Sequence, residues 1–193
     1  MRTYTLEMST RDFDPRSLPV EAFARLGGQL AGDAPVGALD RLSEMQAEQP
    51  TTNPAPAVVH WSANGEWRSL RAGPAEVWLH LAAHVTLALQ CQRCLAAVTV
   101  DVQASRSFMF VHGEAQAAAL DEQTEDDVLP LTRSLDLISL VEDELLLALP
   151  LVPHHRPSCP DPLPMLAGEI EAEAQANPFA ALAALNRPGG KLN

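Results

Sequence analysis

The sequence predicts a single α+β domain in which one amphipathic helix packs on a mostly antiparallel sheet. Three observations predict this class. Apolar and polar residues alternate from Val77 to Gln90 and again from Ala96 to Gln103, and a helical apolar pattern runs from Asp136 to Leu149. A chain of 193 residues is long enough to bury one hydrophobic core. We therefore expect one domain over residues 1–193.

The first part of the chain predicts short elements. A helix is expected from Val20 to Leu30, where glycines end it, and a helical turn from Leu39 to Leu42. Repeated prolines predict a loop at residues 49–57. Asn64-Gly65 accepts the positive φ angles of a type I′ turn and therefore predicts a hairpin between two short strands.

The two alternating stretches predict a long hairpin. In the first stretch every odd position from Val77 to Leu89 is apolar, which indicates a strand with one buried face. The second stretch follows Cys91-Gln92-Arg93-Cys94 and is the expected return strand. Phe108 to Val111 is expected to extend the sheet.

The remaining segments predict one packed helix between two irregular regions. Five carboxylates between Asp121 and Asp127 have irregular spacing, so residues 112–127 are expected to form an acidic loop. Asp136 is the predicted N-cap of the packed helix, with Glu142 and Asp143 on its solvated side. A flexible tail is expected from about residue 160, with a short C-terminal helix that Asn177 caps.

The composition of the chain limits the kinds of partner that it is expected to bind. The net charge of −12 disfavours nucleic-acid binding through bulk charge and favours basic protein partners. No apolar run is long enough to span a bilayer, and the N-terminus lacks an apolar targeting core. With three cysteines and no export signal, the chain is expected to be cytoplasmic and reduced, with no membrane partner.

The cysteines are the candidate chemical site. Structural zinc is held by four soft ligands, and a Cys-x-x-Cys turn such as Cys91 to Cys94 supplies two of them. Cys159 is the candidate third ligand. The fourth is a neighbouring histidine; we name His155, although the spacing alone does not distinguish it from His154. One structural zinc is the cofactor that these ligand types indicate.

Other interpretations of the cysteines stay open. Zinc ribbons carry two Cys-x-x-Cys pairs and this chain has one, which favours cysteines that pack as small buried apolar side chains. A thiol-redox pair is the third interpretation, but a reactive dithiol usually opens a helix, whereas this pair joins two strands. The sequence contains no Gly-x-Ser-x-Gly, phosphate loop or His-Glu-x-x-His, so we expect no enzyme and no small-molecule substrate.

Several motifs together resemble one family. They are Cys91 to Leu95 after a long strand, Leu135 to Pro150, Val152-Pro153-His154 followed by Cys159, and Asn177 to Leu182. In this order they are similar to the YceD family of large ribosomal RNA subunit accumulation proteins, from about Leu79 onward. A weaker likeness runs from Arg11 to Leu42.

The resemblance implies a bacterial cytoplasmic factor for ribosome biogenesis. Such a factor is needed for synthesis, processing or stability of the large-subunit 23S ribosomal RNA and has no known catalytic residues. The implied partners are ribosomal or rRNA-processing proteins, with the RNA contacted directly or indirectly. The family's cysteines correspond to Cys91, Cys94 and Cys159. The alternatives are a zinc-stabilised protein-binding module unrelated to ribosomes and a thiol-redox protein.

Overall fold

The computed structural model describes residues 13–47, 56–71, 73 and 75–160. Short helices, a 3₁₀ turn at Val36–Ala38 and five strands alternate along this part of the chain. The helices and strands are, in order, α1 (Val20–Arg25), β1 (Gln29–Pro35), α2 (Asp40–Glu44), β2 (Val58–Arg68), β3 (Glu76–Gln90), β4 (Ala97–Val111), α3 (Glu114–Asp121), β5 (Asp127–Pro130) and α4 (Leu137–Leu147).

The strands form one mostly antiparallel sheet in the order β1-β2-β3-β4-β5, which confirms the predicted α+β class. Neighbouring strands from β1 to β4 are antiparallel, and β5 lies parallel to β4. The predicted long hairpin is β3 with β4, paired from Gln90 opposite Ala97 to Val77 opposite Phe110. Its tip carries the Cys-x-x-Cys sequence.

Alternation along β3 divides the sheet into a covered face and an outer face. The odd residues from Val77 to Leu89 are buried, and α1 and α4 pack over them. The even residues His84 and Thr86 point to the outer face and are exposed. Helix α3 covers only one end of that outer face, over Trp78, Met109 and Val128.

Helix α4 forms as predicted. Asp136 caps it, because its Oδ1 accepts a hydrogen bond from the Ser139 amide at 3.0 Å. The helix buries Leu137, Val141 and Leu145 completely against the sheet. These residues recur at a spacing of four, so they lie on one side of the helix.

The expected solvent exposure of Glu142 is wrong. Its side chain is buried, since α2 packs beside α4. Glu142 Oε1 accepts from the Leu42 amide at 3.0 Å, and Oε2 accepts from Arg41 Nη2 at 2.9 Å. Burial raises the pKa of Glu142, but the Leu42 amide and the Arg41 guanidinium outweigh it, and the net pKa is lowered. The carboxylate thus joins two helices rather than facing water.

The predicted hairpin at Asn64-Gly65 is also wrong. Both residues lie inside β2, and neither has a positive φ angle. Helix α1 crosses β2 at this point. A Cβ atom built on Gly65 would lie 2.8 Å from the Ala24 Cα and 2.8 Å from the Phe23 ring. Glycine is required here for close approach of a helix, not for a turn.

Replacing Gly65 with alanine is therefore expected to destabilise the fold by about 1–3 kcal/mol, because the clash is with backbone that cannot rotate away. Urea denaturation of each variant measures the effect. Gly37→Ala is the matched control, since a Cβ added to Gly37 would have no atom within 4 Å and its φ is not positive. It should leave stability unchanged or raise it by about 0.4–1 kcal/mol. An equal loss of stability in Gly65→Ala and Gly37→Ala would contradict the packing of α1 on β2.

Three other segments differ from expectation or fall outside the described residues. Helix α1 ends at Arg25 and β1 begins at Gln29, so the predicted helix to Leu30 is too long. The predicted acidic loop at 112–127 contains α3 and the first residue of β5. The predicted loop at 49–57 lies mostly outside the described residues. The predicted tail from about 160 and the C-terminal helix lie outside them, apart from Pro160 itself.

Two further predictions concern the whole chain rather than single elements. That residues 1–193 form one domain stays a prediction. Among the described helices, none combines the length and the apolar character needed to cross a bilayer.

Candidate metal centre

The tip of the β3–β4 hairpin holds Cys91 and Cys94 in a tight turn. The Cys91 amide donates to the Ala96 carbonyl at 2.9 Å, and the Leu95 amide donates back to the Cys91 carbonyl at 2.9 Å. Leu95 has a φ of 63°, in the left-handed region that costs a non-glycine residue about 1–2 kcal/mol. These bonds reverse the chain and keep both thiols near each other.

The segment after α4 returns to this turn and brings two more candidate ligands. The Gln92 amide donates to the Pro153 carbonyl at 2.8 Å. Two residues further, His155 lies beside the start of β4, where its Nε2 is 3.1 Å from the Ala97 carbonyl oxygen. Cys159 follows and is buried next to Cys91. The hairpin tip and the segment after α4 thus meet through one backbone hydrogen bond as well as through the four side chains.

The four candidate ligand atoms form one cluster. The sulfurs of Cys91, Cys94 and Cys159 and a ring nitrogen of His155 all lie within 4.8 Å of one another. Cys91 Sγ is 3.8 Å from Cys159 Sγ, and Cys94 Sγ is 3.5 Å from His155 Nδ1. Zn–S bonds of about 2.3 Å and a Zn–N bond of about 2.1 Å at tetrahedral angles put two sulfurs about 3.8 Å apart and a sulfur and a nitrogen about 3.6 Å apart. Both measured distances match these tetrahedral edges.

The structure distinguishes the two histidines. His155 Nε2 donates to the Ala97 carbonyl, which leaves the Nδ1 lone pair directed at the cluster. His154 is exposed, and its Nδ1 donates to the carbonyl of Val152 in its own segment. Only His155 belongs to the cluster. The carbonyl that orients it is a backbone group with no sequence signal, so sequence reasoning could not have found this contact.

The electrostatic surroundings differ between the two buried thiols. Burial raises the pKa of the Cys91 thiol, but the backbone amides of Cys94 and Arg93 and the groups of His155 outweigh burial and lower the pKa to about 5. Burial and the neighbouring sulfurs raise the pKa of the Cys159 thiol to about 11. The directions of these shifts favour ionisation of Cys91 before Cys159, and a bound cation would displace the proton of Cys159.

The arrangement can hold one divalent metal ion. Cys91 and Cys159 are buried, and Cys94 and His155 are half-buried, so the ligand set is largely shielded from water. Three thiols and an imidazole are soft ligands of the kind that zinc prefers. An ion held there would link the β3–β4 hairpin to the segment after α4.

Three other histidines, His60, His80 and His84, lie on the outer face of the sheet, away from this cluster. The rings of His60 and His84 stack with centroids 4.8 Å apart, and His60 Nδ1 contacts Asp33 Oδ1 at 2.6 Å. His80 contacts Ser107 and Glu66. These contacts link neighbouring strands. No group of three or more metal-ligand residues other than the cysteine cluster occurs within the ranges that the structure describes.

Replacing His155 with alanine is expected to weaken metal binding by about 10–100-fold or more, because it removes a ligand and the contact with the Ala97 carbonyl. Competition with a chromophoric chelator measures the affinity. His154→Ala is the matched control and should bind metal like the wild type, since its ring lies outside the cluster and hydrogen-bonds to the Val152 carbonyl. Equal losses in both variants would contradict the assignment of His155.

Comparison with known proteins places the chain in a family. No solved structure matches it. The model of the family described as "Large ribosomal RNA subunit accumulation protein YceD" matches residues 79–186 of the 193. The match includes nearly all of the β3–β4 hairpin, helix α4 and all four residues of the cluster. Since it covers more than half of the chain, this protein belongs to the YceD family of large ribosomal RNA subunit accumulation proteins.

Proposed function

We propose that the protein is a non-catalytic, cytoplasmic ribosome-biogenesis factor needed for accumulation of the large-subunit 23S ribosomal RNA. The family match over residues 79–186 carries this proposal, because the family is described by that role. The role covers synthesis, processing or stability of the RNA. The matched region contains most of the hairpin, the four residues of the candidate metal centre and α4.

A structural zinc is the second part of the proposal. Catalytic zinc sites keep one coordination position open for water or substrate, whereas structural sites use four protein ligands. Cys91, Cys94, Cys159 and His155 supply four, with tetrahedral spacing for the two measured edges. Bound zinc would hold the segment after α4 on the hairpin. This closed ligand set supports a stabilising role rather than catalysis.

The buried carboxylates also support a non-catalytic function. Glu142 is held by Arg41 and the Leu42 amide. Glu144 pairs with Arg106 Nε at 3.4 Å, and burial raises its pKa. Each acidic group is thus occupied in joining α4 to another element. Paired acid/base groups must lie in one site. Glu142 and Glu144 do not, because they contact different elements.

We propose a basic ribosomal or rRNA-processing protein as the direct partner. The net charge of −12 repels a phosphate backbone and attracts cationic surfaces. The large-subunit RNA is then affected through that protein. Tight binding to protein-free large-subunit RNA that weakens steeply with salt would contradict this choice of partner.

The test is depletion of the protein in cells, followed by sucrose-gradient profiles and quantification of precursor and mature 23S RNA. We expect a selective loss of large subunits that the wild-type gene restores. The small-subunit RNA in the same cells is the internal control. Normal gradients and normal RNA levels would overturn the ribosomal role and favour a zinc-stabilised binding module that acts elsewhere.

A further inference from the structure

Among the described residues, one backbone edge of strand β4 has no neighbouring strand over most of its length. One edge of β4 pairs with β3 from Ala97 to Phe110. The other edge pairs with β5 only from Phe108 to Val111. In the part of the chain that the structure describes, no strand pairs with the second edge from 97 to 107. The one hydrogen bond that reaches this stretch from the segment after α4 is that of His155 to the Ala97 carbonyl.

Of the features by which proteins usually prevent strand pairing, this edge carries only one, a charge on the covered face. Proline, lysine, a bulge or an inward-pointing charge commonly protects an exposed edge. Between residues 97 and 107 there is no proline and no lysine. Arg106 lies on the covered face, where its charge is paired with Glu144 and Asp127. The other charged residue is Asp101. Its side chain lies on the outer face, where it accepts a hydrogen bond from Thr86 at 2.7 Å. The edge is therefore suited to receive another strand.

The side chains of β4 specify what kind of strand would fit. On the covered face Val98, Val100, Val102 and Ala104 are apolar, and the charged Arg106 follows them. Val100 and Ala104 remain partly exposed, although Val98 and Val102 are buried. On the outer face Asp101 and the polar residues near it are exposed. An added strand would need apolar residues toward the helices and polar residues on the outer side.

There is room beside the edge. A groove of about 640 Å³ separates residues 97–101 of β4 from the segment of residues 150–156. Val98, Val100 and Val152 contribute its apolar lining, and Val152 is 60% exposed. An extended strand laid in this groove would contact both the β4 backbone and these apolar groups.

We infer that a second copy of this chain pairs its own β4 with this edge, so that two five-stranded sheets join across a two-fold axis. The pattern of β4 is the pattern that the edge requires, apolar on one face and polar on the other. This inference does not depend on the proposed function.

The ends of the free stretch define the register. Because β5 occupies β4 from Phe108 onward, residues 97–107 can pair fully with their equivalents only when the axis lies near Val102. In this antiparallel register Val100 faces Ala104, Asp101 faces Gln103, and Arg106 faces Val98. No like charges oppose each other across the axis, so the edge is complementary to itself.

The charge of the whole chain gives the association a distinctive salt dependence. Two copies with a net charge of −12 repel each other at long range, and salt screens this repulsion. The contact itself is formed by backbone groups and apolar side chains, which screening does not weaken. The dimer should therefore tighten as salt rises, in contrast to binding of a basic partner.

Sedimentation velocity and native mass spectrometry of the full-length, untagged, zinc-loaded protein test the inference. The wild type is expected to be a dimer that dissociates on dilution. Val100→Lys places a charge on the inward side of the edge and should weaken the dimer at least about a hundredfold. Ala104→Lys tests the same contact at the facing position if Val100→Lys does not fold. Ser62→Lys, an equal charge change on the outer face of β2, should leave the dimer intact.

Hydrogen exchange of the amides at residues 98–105 identifies the occupant. Protection that falls on dilution supports the second copy. Protection that is independent of concentration would show that the chain's own residues beyond 160 cover the edge, which overturns the inference. A wild type that stays monomeric at all concentrations also overturns it. So does a dimer that survives both lysine substitutions, since it would then use another surface.

Discussion

Cys91→Ser is expected to release the bound zinc, about one ion per chain, and to destabilise the fold more than any surface substitution. Cys91 is fully buried, and its sulfur lies 3.8 Å from that of Cys159. A hydroxyl is a poor zinc ligand, and without the ion the segment after α4 loses one of its attachments to the hairpin. At free zinc about 1,000 times the dissociation constant, the lost binding lowers the free energy of unfolding by about 4 kcal/mol.

Two measurements check this expectation. Elemental analysis of protein purified without an affinity tag gives the zinc content, and thermal melting gives the stability. Gln92→Ser is the matched control, because its side chain is exposed in the same turn and its backbone bond to the Pro153 carbonyl is retained. Addition of a chelator to the wild type should reproduce the lower melting temperature of Cys91→Ser. Unchanged zinc content and melting temperature would mean that the cysteines pack without a metal.

Leu145→Ala is expected to lower the free energy of unfolding by about 2–5 kcal/mol, whereas Leu147→Ala should change it by less than about 0.5 kcal/mol. The two leucines lie two residues apart in α4. Leu145 is fully buried and Leu147 is 74% exposed. Truncation of Leu145 leaves a cavity between α4 and the sheet, and the same truncation of Leu147 removes atoms that already contact water.

Urea denaturation of both variants measures this difference. Since the same side chain is truncated in the same helix, intrinsic helix propensity changes equally and cancels from the comparison. The difference therefore reports how α4 is rotated on the sheet. Similar costs for the two leucines, or a larger cost at Leu147, would contradict that orientation.

The long hairpin could be predicted because its signal is local. Alternation along β3 places every second residue on one face of the sheet. Any helix that covers this face buries those residues, so the strand can be predicted without knowing which helix it is. The cap at Asp136 is equally local, since a side chain and an amide three residues later form it. Both predictions are confirmed.

Two of the errors occur where a distant element overrides a local signal. Asn64-Gly65 carries the residues of a tight turn, yet α1 lies against Gly65 and the chain continues as β2. Glu142 is on the side of α4 that pattern alone assigns to solvent, but α2 approaches it with Arg41 and the Leu42 amide. Neither contact has a counterpart in nearby sequence.

For the candidate metal centre, the sequence by itself determined which cysteines are available as ligands, because Cys91 and Cys94 must share one turn and no other cysteine but Cys159 exists. Cys91 and Cys94 meet Cys159 only in the folded chain, because more than sixty residues separate them in the sequence. The hydrogen bond from the Gln92 amide to the Pro153 carbonyl joins the two segments. That fold also decided between adjacent histidines, since only His155 reaches the Ala97 carbonyl. Spacing along a chain limits which residues can be neighbours, but their orientation depends on backbone groups that every residue possesses and that only folding brings together.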